Sequence, residues 1–214
     1  MIVTDRIDEY FALMEQRPRL FASSDIYPIV TDRAAIEAYE SQTGKKIGVL
    51  YKSRFNTLVV DLIAGENGYF TYERVIPTAL GHAVVCIPVI NGRLLLVNQY
   101  RHAVRDRQLS FPRGFGEDGI APADNAKKEL FEEVGAVARE CILLGSVSAD
   151  SGLVGAECDV FLCYADSFAE VCADEGITGV ELLDEVTLEE LIRERKITDG
   201  FTLGAYMLYK TRKK

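Results

Sequence analysis

Residues 111–136 read FPRGFGEDGIAPADNAKKELFEEVGA, a glycine-rich loop that runs into a helix. Pro122 suits the first turn of that helix, and Gly135 suits the position just beyond its end. At about 100° per residue, the helix has one apolar stripe and an acidic arc beside it. The stripe consists of Ala123, Ala126, Leu130 and Val134, and the arc of Glu129, Glu132 and Glu133.

The acidic arc needs a physical explanation, because like charges three or four residues apart on a helix repel each other. Two arrangements relieve that repulsion: water screens an exposed acidic face, or a cation lies against it. Acidic faces are common on exposed helices, so the pattern of glutamates alone does not choose between the two. The residues around the helix are more informative.

The spacing of loop and helix resembles the Nudix signature, G-x5-E-x7-R-E-U-x-E-E-x-G-U, where U is a bulky apolar residue. Gly114 lies 21 residues before Gly135, as the signature requires, and Ala136 falls at its final apolar position. The positions that agree are Gly114, Glu129, Leu130, Glu132, Glu133 and Gly135.

Two positions depart from the signature. Ile120 stands where the first glutamate belongs, and Lys128 replaces the arginine. In the family these two side chains support the box rather than carry most of the metal, so their joint loss is consistent with an ion pair replaced by something else. Glu117, three residues earlier than Ile120, is a candidate for the missing carboxylate.

The resemblance extends over roughly residues 45–210 and favours the ADP-ribose pyrophosphatase-like branch of the family. Gln99–Arg101 match its Q-Y-R phrase, and Ser110–Gly114 resemble its E-L-P-x-G phrase with serine in place of glutamate. SGLVGAE, which ends at Glu157, and ITDGFTL, residues 197–203, resemble two later motifs of the branch. Because N-terminal strands of this branch commonly exchange between subunits, the resemblance implies a homodimer.

The resemblance further implies a metal site that binds Mg²⁺ or Mn²⁺. Mg²⁺ prefers oxygen ligands, uses few carboxylates, and keeps positions for water and substrate phosphates. A bound divalent ion polarises a diphosphate and lowers the pKa of a bound water. The ligands that the family correspondence assigns are Glu129, Glu132, Glu133 and the backbone carbonyl of Arg113.

Catalytic and substrate-binding residues follow from the same correspondence. Glu133 is the principal catalytic residue expected. The general base is left open among three carboxylates outside the box helix, namely Glu157, Glu175 and Glu181. Guanidinium groups offer paired donors to phosphate oxygens, and the candidates for that role are Arg74, Arg101 and Arg113.

The remaining chain predicts an α+β or α/β fold, a mixed sheet between helices that is preceded by a small antiparallel sheet and a helical segment. Helices are expected at residues 4–16, capped by Thr4 or Asp5, and at 31–43. Three strands are expected from residue 46, and Asn91-Gly92 predicts a hairpin. Later strands are expected near residues 142–149, 158–164 and 180–184, and later helices at 188–194 and 201–210. The predicted segments are 1–44 (helical), 45–76 (antiparallel strands, possible dimerisation) and 77–214 (Nudix domain).

Composition narrows the possible partners. The chain has 214 residues, and its net charge of −9 opposes nonspecific binding to nucleic acid or to an anionic membrane. It shows neither a signal peptide nor an apolar run of about 18 residues, so we expect a cytoplasmic protein. Two histidines are too few for a histidine-based metal site. The cysteines lack C-x-x-C spacing and are expected to be buried thiols: Cys86, Cys141, Cys158, Cys163 and Cys172.

Two hypotheses for function result. The first is a Nudix-type hydrolase that cleaves the diphosphate linkage of a nucleoside diphosphate derivative, such as ADP-ribose to AMP and a sugar phosphate. The second is a Nudix-fold protein that binds a nucleotide without turnover. The departures at Ser110, Ile120 and Lys128 favour the second hypothesis.

Overall fold

The computed structural model describes residues 5–169 and 175–212. The chain divides into two compact units. The first consists of the chain as far as Ala79 together with Asp150–Ala156, and the second of Leu80–Ala149 and the chain from Glu157 onward. Whether the predicted segments 1–44, 45–76 and 77–214 are separate domains stays a prediction. Among the described residues, no helix has the length and apolarity needed to span a membrane.

The first unit contains two helices and a three-stranded antiparallel sheet, as the sequence predicts. Its core is formed by buried side chains of both helices and the sheet, including Tyr10, Ile36 and Leu62. The helices are α1 (Arg6–Gln16) and α2 (Arg33–Thr43), with a short 3-10 helix at Pro18–Phe21. The strands, paired in chain order, are β1 (Gly48–Lys52), β2 (Asn56–Gly65) and β3 (Gly68–Pro77).

Side-chain chemistry explains where these helices begin and end. The Asp5 carboxylate accepts the backbone N–H of Ile7 at 2.6 Å, and Asp32 accepts two N–H groups in the first turn of α2. Gly44 ends α2 with a φ of 74°, a left-handed conformation that glycine adopts at little cost. Thr4, the other predicted cap of α1, lies outside the described residues.

The second unit contains a mixed sheet with a helix layer on each face. The main strand order is β10-β5-β4-β9-β8, and β6 pairs with β5 while β7 pairs with β4. Strands β4 and β9 are parallel, and the other pairs of this sheet are antiparallel. The strands are β4 (Ala83–Ile90), β5 (Arg93–Arg101), β6 (Asp106–Ser110), β7 (Arg113–Gly114), β8 (Ala138–Val147), β9 (Cys158–Ala165) and β10 (Ile177–Leu183); the helices are α3 (Pro122–Val134), α4 (Glu185–Arg193) and α5 (Gly200–Arg212).

Alternation along β5 shows how the two helix layers use the sheet. Leu95 and Val97 pack in one core with side chains of α3, whereas Leu94 and Leu96 pack in a second core with α4 and α5. Successive strand residues point to opposite faces, so α3 covers one face and α4 and α5 cover the other. The predicted mixed sheet between helices is confirmed.

The predicted hairpin at Asn91-Gly92 is present, whereas two strands of the sheet were not predicted. Asn91 and Gly92 have φ values of 50° and 75°, so both have the positive φ that a type I′ turn requires. Strands β6 and β7 were not predicted. Their sequences, DRQLS and RG, are short and polar and carry no alternating apolar pattern.

The cysteines are free thiols where the structure describes them. Cys86, Cys158 and Cys163 are buried, and Cys141 is partly exposed. Burial raises the pKa of the Cys158 thiol to about 11, which keeps it protonated near neutral pH. Cys172 lies outside the described residues.

Candidate active site

Local sequence chemistry fixes the two ends of α3. Pro122 occupies the first turn, where its missing N–H costs no helical hydrogen bond. Gly135 follows the last turn with a φ of 61°, and its N–H donates to the Phe131 carbonyl at 2.8 Å. The helix therefore has a defined start and stop, and its register on the sheet follows from its apolar stripe.

The packing of the apolar stripe against the sheet buries two of the three glutamates beside it. Ala126, Leu130 and Val134 are fully buried against the sheet. Because the acidic arc lies beside the stripe, Glu129 is only 9% exposed and Glu133 only 1% exposed. A carboxylate placed this deep without a counter-charge is costly.

Gly114 leaves the space that the Glu129 carboxyl group occupies. A methyl group built on Gly114 would lie 1.9 Å from Cδ of Glu129 and 2.1 Å from each of its oxygens. No real Cβ atom tolerates such a contact, so any side chain at this position must displace Glu129. Strand β7 and helix α3 thus meet at a site shaped for one carboxylate.

Burial and neighbouring carboxylates raise the pKa of both buried glutamates. The pKa of Glu133 rises to about 8, chiefly through burial and then through the charges of Glu175 and Glu129, while Arg101 and hydrogen bonding from the Arg113 backbone oppose the rise. The pKa of Glu129 rises to about 7, through burial first and the charge of Glu132 second. The two carboxyl groups therefore compete for positive charge, either a proton or a cation.

One oxygen of this pair has no protein partner. Oε2 of Glu133 is buried and makes no hydrogen bond, although buried acceptors are normally paired. An unpartnered oxygen beside a second buried carboxylate fits a hard divalent cation, which prefers such ligands. Within residues 5–169 and 175–212, no three His, Cys, Asp or Glu side chains are already arranged to hold a metal. The buried carboxylates Glu129 and Glu133 are the ligands of α3 that a cation at this site would use.

Glu132, the third predicted ligand, has a different environment. Its side chain is 47% exposed and lies 3.4 Å from Nζ of Lys128, one turn earlier on α3. Lys128 also forms an ion pair with Glu117 in the preceding loop. These contacts raise the pKa of Lys128, with the Glu117 hydrogen bond as the largest cause. The predicted replacement of the family ion pair is thus present between Lys128 and Glu117.

Arg101 is the predicted phosphate-binding residue that the structure brings to the acid pair. Its charge lowers the pKa of Glu133, and its own pKa is lowered by burial and by the neighbouring charge of Arg113. One terminal nitrogen donates to Oγ of Ser110 at 3.4 Å, and the buried Nε has no partner. A partly buried guanidinium with one buried, unsatisfied N–H is suited to an anionic ligand.

The other two predicted arginines are held by protein groups. The Arg113 side chain lies 3.2 Å from Asp199 and stacks on Phe201 of α5, whereas its backbone acts to lower the pKa of Glu133. In the first unit, Arg74 pairs with Asp61 at 2.5 Å. These contacts account for both side chains without a ligand, and a substrate role for Arg74 or Arg113 stays a prediction.

The three candidate bases have different positions. Glu175 is close enough for its charge to raise the pKa of both buried glutamates. Glu157 is exposed and immediately precedes β9. Glu181 pairs in register with Leu96, and both lie on the sheet face that α4 and α5 cover. Contrary to the prediction, Glu181 is therefore not brought to the acid pair.

Sequence patterns missed two further groups near the site. Asn125 on α3 is 1% exposed and donates to the Phe115 carbonyl at 3.0 Å, which ties the glycine-rich loop to the helix. Asp199 and Thr202 contact the 111–114 segment from α5. Asn125 lies one turn before Glu129 on the acidic arc, so the apolar pattern gave no signal for its burial, whereas the ITDGFTL motif could have indicated Asp199.

Comparison with known proteins identifies the family of the chain. Residues 80–202 match the NUDIX domain. The chain belongs to the Nudix family, which confirms the predicted family membership.

The individual relatives share 28% sequence identity or less with this chain. The chain is 28% identical over 113 residues to ADP compounds hydrolase NudE of Escherichia coli (strain K12), covering 52% of this chain and 60% of NudE. It therefore matches less than two thirds of that relative. It is 27% identical over 161 residues to the Methanol dehydrogenase activator of Bacillus methanolicus, covering 73% of this chain and 85% of that protein. A crystal structure of an ADP compounds hydrolase matches with a TM-score of 0.65 at 19% identity, over 78% of this chain and 90% of the other, which shows a shared fold.

Proposed function

We propose that this protein is a divalent-metal-dependent Nudix hydrolase that cleaves the diphosphate linkage of a nucleoside diphosphate derivative. The observation that carries the proposal is the buried pair Glu129 and Glu133, in which Oε2 of Glu133 has no partner and the partly buried Arg101 acts on the charge of Glu133. Two carboxylates and one guanidinium can together accommodate a cation and the anionic substrate that accompanies it. A purely structural acid pair would instead be expected to have its oxygens satisfied.

Each residue has a definite role in the proposed reaction. A bound Mg²⁺ or Mn²⁺ would supply a polarised diphosphate and a more acidic water. Glu129 and Glu133 would hold the ion in their ionised forms, and Glu132 would join them by leaving Lys128. Arg101 would bind a phosphate oxygen through its free Nε–H, which is buried and therefore lightly hydrated.

Proton transfer is assigned to Glu175. Its charge acts on Glu133, so a water near the acid pair lies within its field. It is exposed, and its backbone carbonyl is fixed by the Gln99 side chain at 2.9 Å. An exposed carboxylate can return its proton to solvent after accepting it from water. Glu157 is the second candidate for this role.

The substrate class proposed is a nucleotide sugar, with ADP-ribose giving AMP and ribose phosphate as the leading case. The family resemblance and the similarity to a protein named ADP compounds hydrolase support it. We further propose a cytoplasmic homodimer, an extension that rests on the family resemblance and on the composition. Light scattering coupled to size exclusion would measure the mass directly.

The test is a substrate panel with Mg²⁺ or Mn²⁺, in which an added phosphatase releases phosphate from the products. ADP-ribose, other nucleotide sugars and dinucleotides form the panel. We expect Glu133→Gln to lower kcat by about 10²- to 10⁴-fold. Glu181→Gln is the matched control, since it removes a carboxylate from the opposite sheet face and should retain turnover. Full activity of Glu133→Gln would refute the site.

The pairing of Glu132 with Lys128 favours a second function, nucleotide binding without turnover. In that case, the third carboxylate would remain with the lysine and a catalytic ion would not be completed. Nucleotides would then raise the melting temperature of the protein through binding to the folded state. No compound in the panel would be cleaved.

A further inference from the structure

The ITDGFTL motif has no role in the proposed reaction, yet it contacts the site. Its residues Asp199 and Thr202 stand at the start of α5, which spans Gly200–Arg212. The Asp199 carboxylate accepts the Thr202 N–H at 2.9 Å and the Thr202 hydroxyl at 2.8 Å through the same oxygen, Oδ2. Asp199 is therefore the cap of α5, and its other oxygen remains for a second task.

That second task joins α5 to the segment before the box helix. Oδ1 of Asp199 lies 3.2 Å from a terminal nitrogen of Arg113, and the guanidinium stacks 4.7 Å from the ring centre of Phe201. The Thr202 hydroxyl accepts the backbone N–H of Phe111 at 3.0 Å. Thr202 and Phe111 are fully buried, so water cannot replace this hydrogen bond.

The same segment contacts the acid pair on its other side. Gly114 provides the space in which the Glu129 carboxyl group lies, and the Arg113 backbone acts to lower the pKa of the Glu133 carboxyl group. The carbonyl of Pro112 accepts the Cys86 N–H at 2.8 Å, which ties the segment to β4. Residues 111–114 thus lie between α5 and the two buried glutamates.

We propose that Asp199 is a positioning residue for the metal-binding acid pair, acting through Arg113. Neutralising Asp199 leaves the α5 cap in place, since an asparagine oxygen can still accept the Thr202 N–H. It removes the anion that fixes Arg113, a side chain that is 21% exposed. Freed from that partner, Arg113 shifts the backbone that contacts Glu133 and the glycine beneath Glu129. The metal-binding role of the pair rests on the proposed function.

A simple capping role would have a different consequence, and the chain contains a natural comparison. Asp184 caps α4 by accepting the Thr187 N–H at 2.8 Å, and it lies on the exposed surface. If Asp199 acts only as a cap, then Asp199→Asn and Asp184→Asn should behave alike. If Asp199 positions the site, only Asp199→Asn should change what the acid pair binds.

The deciding measurement is Mn²⁺ binding by the full-length protein, followed by electron paramagnetic resonance and by calorimetry. We expect Asp199→Asn to weaken Mn²⁺ binding by about 10- to 100-fold, the range typical of residues that orient metal ligands. Asp184→Asn should bind as the unaltered protein does. Equal Mn²⁺ affinity in Asp199→Asn and the unaltered protein would overturn the inference, whatever the turnover rate.

A second variant keeps the inference testable if Asp199→Asn does not fold. Arg113→Met removes the other half of the ion pair but leaves the α5 cap intact, and it should weaken Mn²⁺ binding to a similar extent. The double variant should bind Mn²⁺ with no lower affinity than the more affected single variant, because both substitutions act through one contact. Additive losses would overturn the inference. Mn²⁺ binding without any substrate cleavage would instead reject the proposed function alone, and absence of Mn²⁺ binding by the unaltered protein would reject both.

Discussion

Lys128 of the box helix forms an ion pair with Glu117 of the loop that precedes it. The Nudix signature has its glutamate three residues later, where this chain has Ile120, and an arginine where it has Lys128. Both halves of the supporting pair have therefore changed together. The shorter lysine meets a carboxylate at a different place in the loop, and the link between loop and helix persists.

Breaking this ion pair should affect stability only slightly. The two side chains are 37% and 45% exposed, and exposed ion pairs contribute about 0.2–1 kcal/mol. We expect Lys128→Met and Glu117→Gln each to lower the free energy of unfolding within that range, and the double variant to lose no more than the sum. Urea unfolding measures it. A loss of several kcal/mol would mean that the pair is the main link between loop and helix.

Gly114→Ala should weaken metal binding more than it lowers the stability of the fold. The added methyl group meets the Glu129 carboxyl carbon at 1.9 Å, so the glutamate must move. Because the clashing atoms are the far end of a flexible side chain, we expect little loss of stability but a clear weakening of Mn²⁺ binding. Gly179→Ala is the control, because a Cβ there has no atom within 4 Å and its φ is not left-handed. Retained Mn²⁺ affinity in Gly114→Ala would show that Glu129 is not a ligand.

Metal-free protein should become less stable as the pH rises. The pKa of Glu133 is about 8 when folded, above its value of 4.5 in a model compound. A carboxyl group with a raised pKa binds its proton more tightly in the folded state, so its favourable contribution is complete below pH 4.5 and is lost as pH rises through 8. In EDTA, the melting temperature should therefore decrease as the pH rises from 4.5 to 8.

Glu133→Gln provides the control for that pH dependence, since glutamine does not titrate. As the pH rises, the melting temperature of the unaltered protein should fall relative to that of this variant. Added Mg²⁺ should restore the unaltered protein at high pH, because the ion replaces the proton. A difference that does not vary with pH would show that Glu133 titrates normally.

Glu175→Gln should lower kcat while leaving Mn²⁺ binding nearly unchanged. A general base typically contributes about 10²- to 10⁴-fold to the rate, and we expect a loss within that range with little change in KM. Glu157→Gln, measured in parallel, should have a smaller effect. If Glu157→Gln carries the large loss instead, the assignment of the base is reversed.

Local chemistry explains how much of the fold the sequence predicted. Capping residues such as Asp32 and Gly44 act on their own helix, and Asn91-Gly92 acts on its own hairpin, so each can be identified from neighbouring residues. The two unpredicted strands have no such local cause. Strand β7 exists because Arg113 and Gly114 pair with β4, which lies about 30 residues away in the chain.

In the candidate site too, local spacing predicted some features, whereas others depend on contacts that form only in the folded chain. Helical spacing put Glu129 and Glu133 on one arc, and the apolar stripe beside them implies their burial. Spacing cannot tell that Glu181 faces the opposite layer, because that depends on the register of β10 against β5. Nor can it show that Glu175 acts on Glu133, since the two residues meet only in the folded chain.

The fit of Glu129 over Gly114 also links the mutational histories of two positions. An alanine at 114 must displace the carboxyl group of residue 129, and we expect that conflict to disappear once a small residue stands at 129. Loss of the Glu129 carboxyl group should make a later substitution of Gly114 tolerable, whereas substitution of Gly114 first should not be tolerated. A descendant with a bulky residue at 114 would therefore be expected to have given up hydrolysis already.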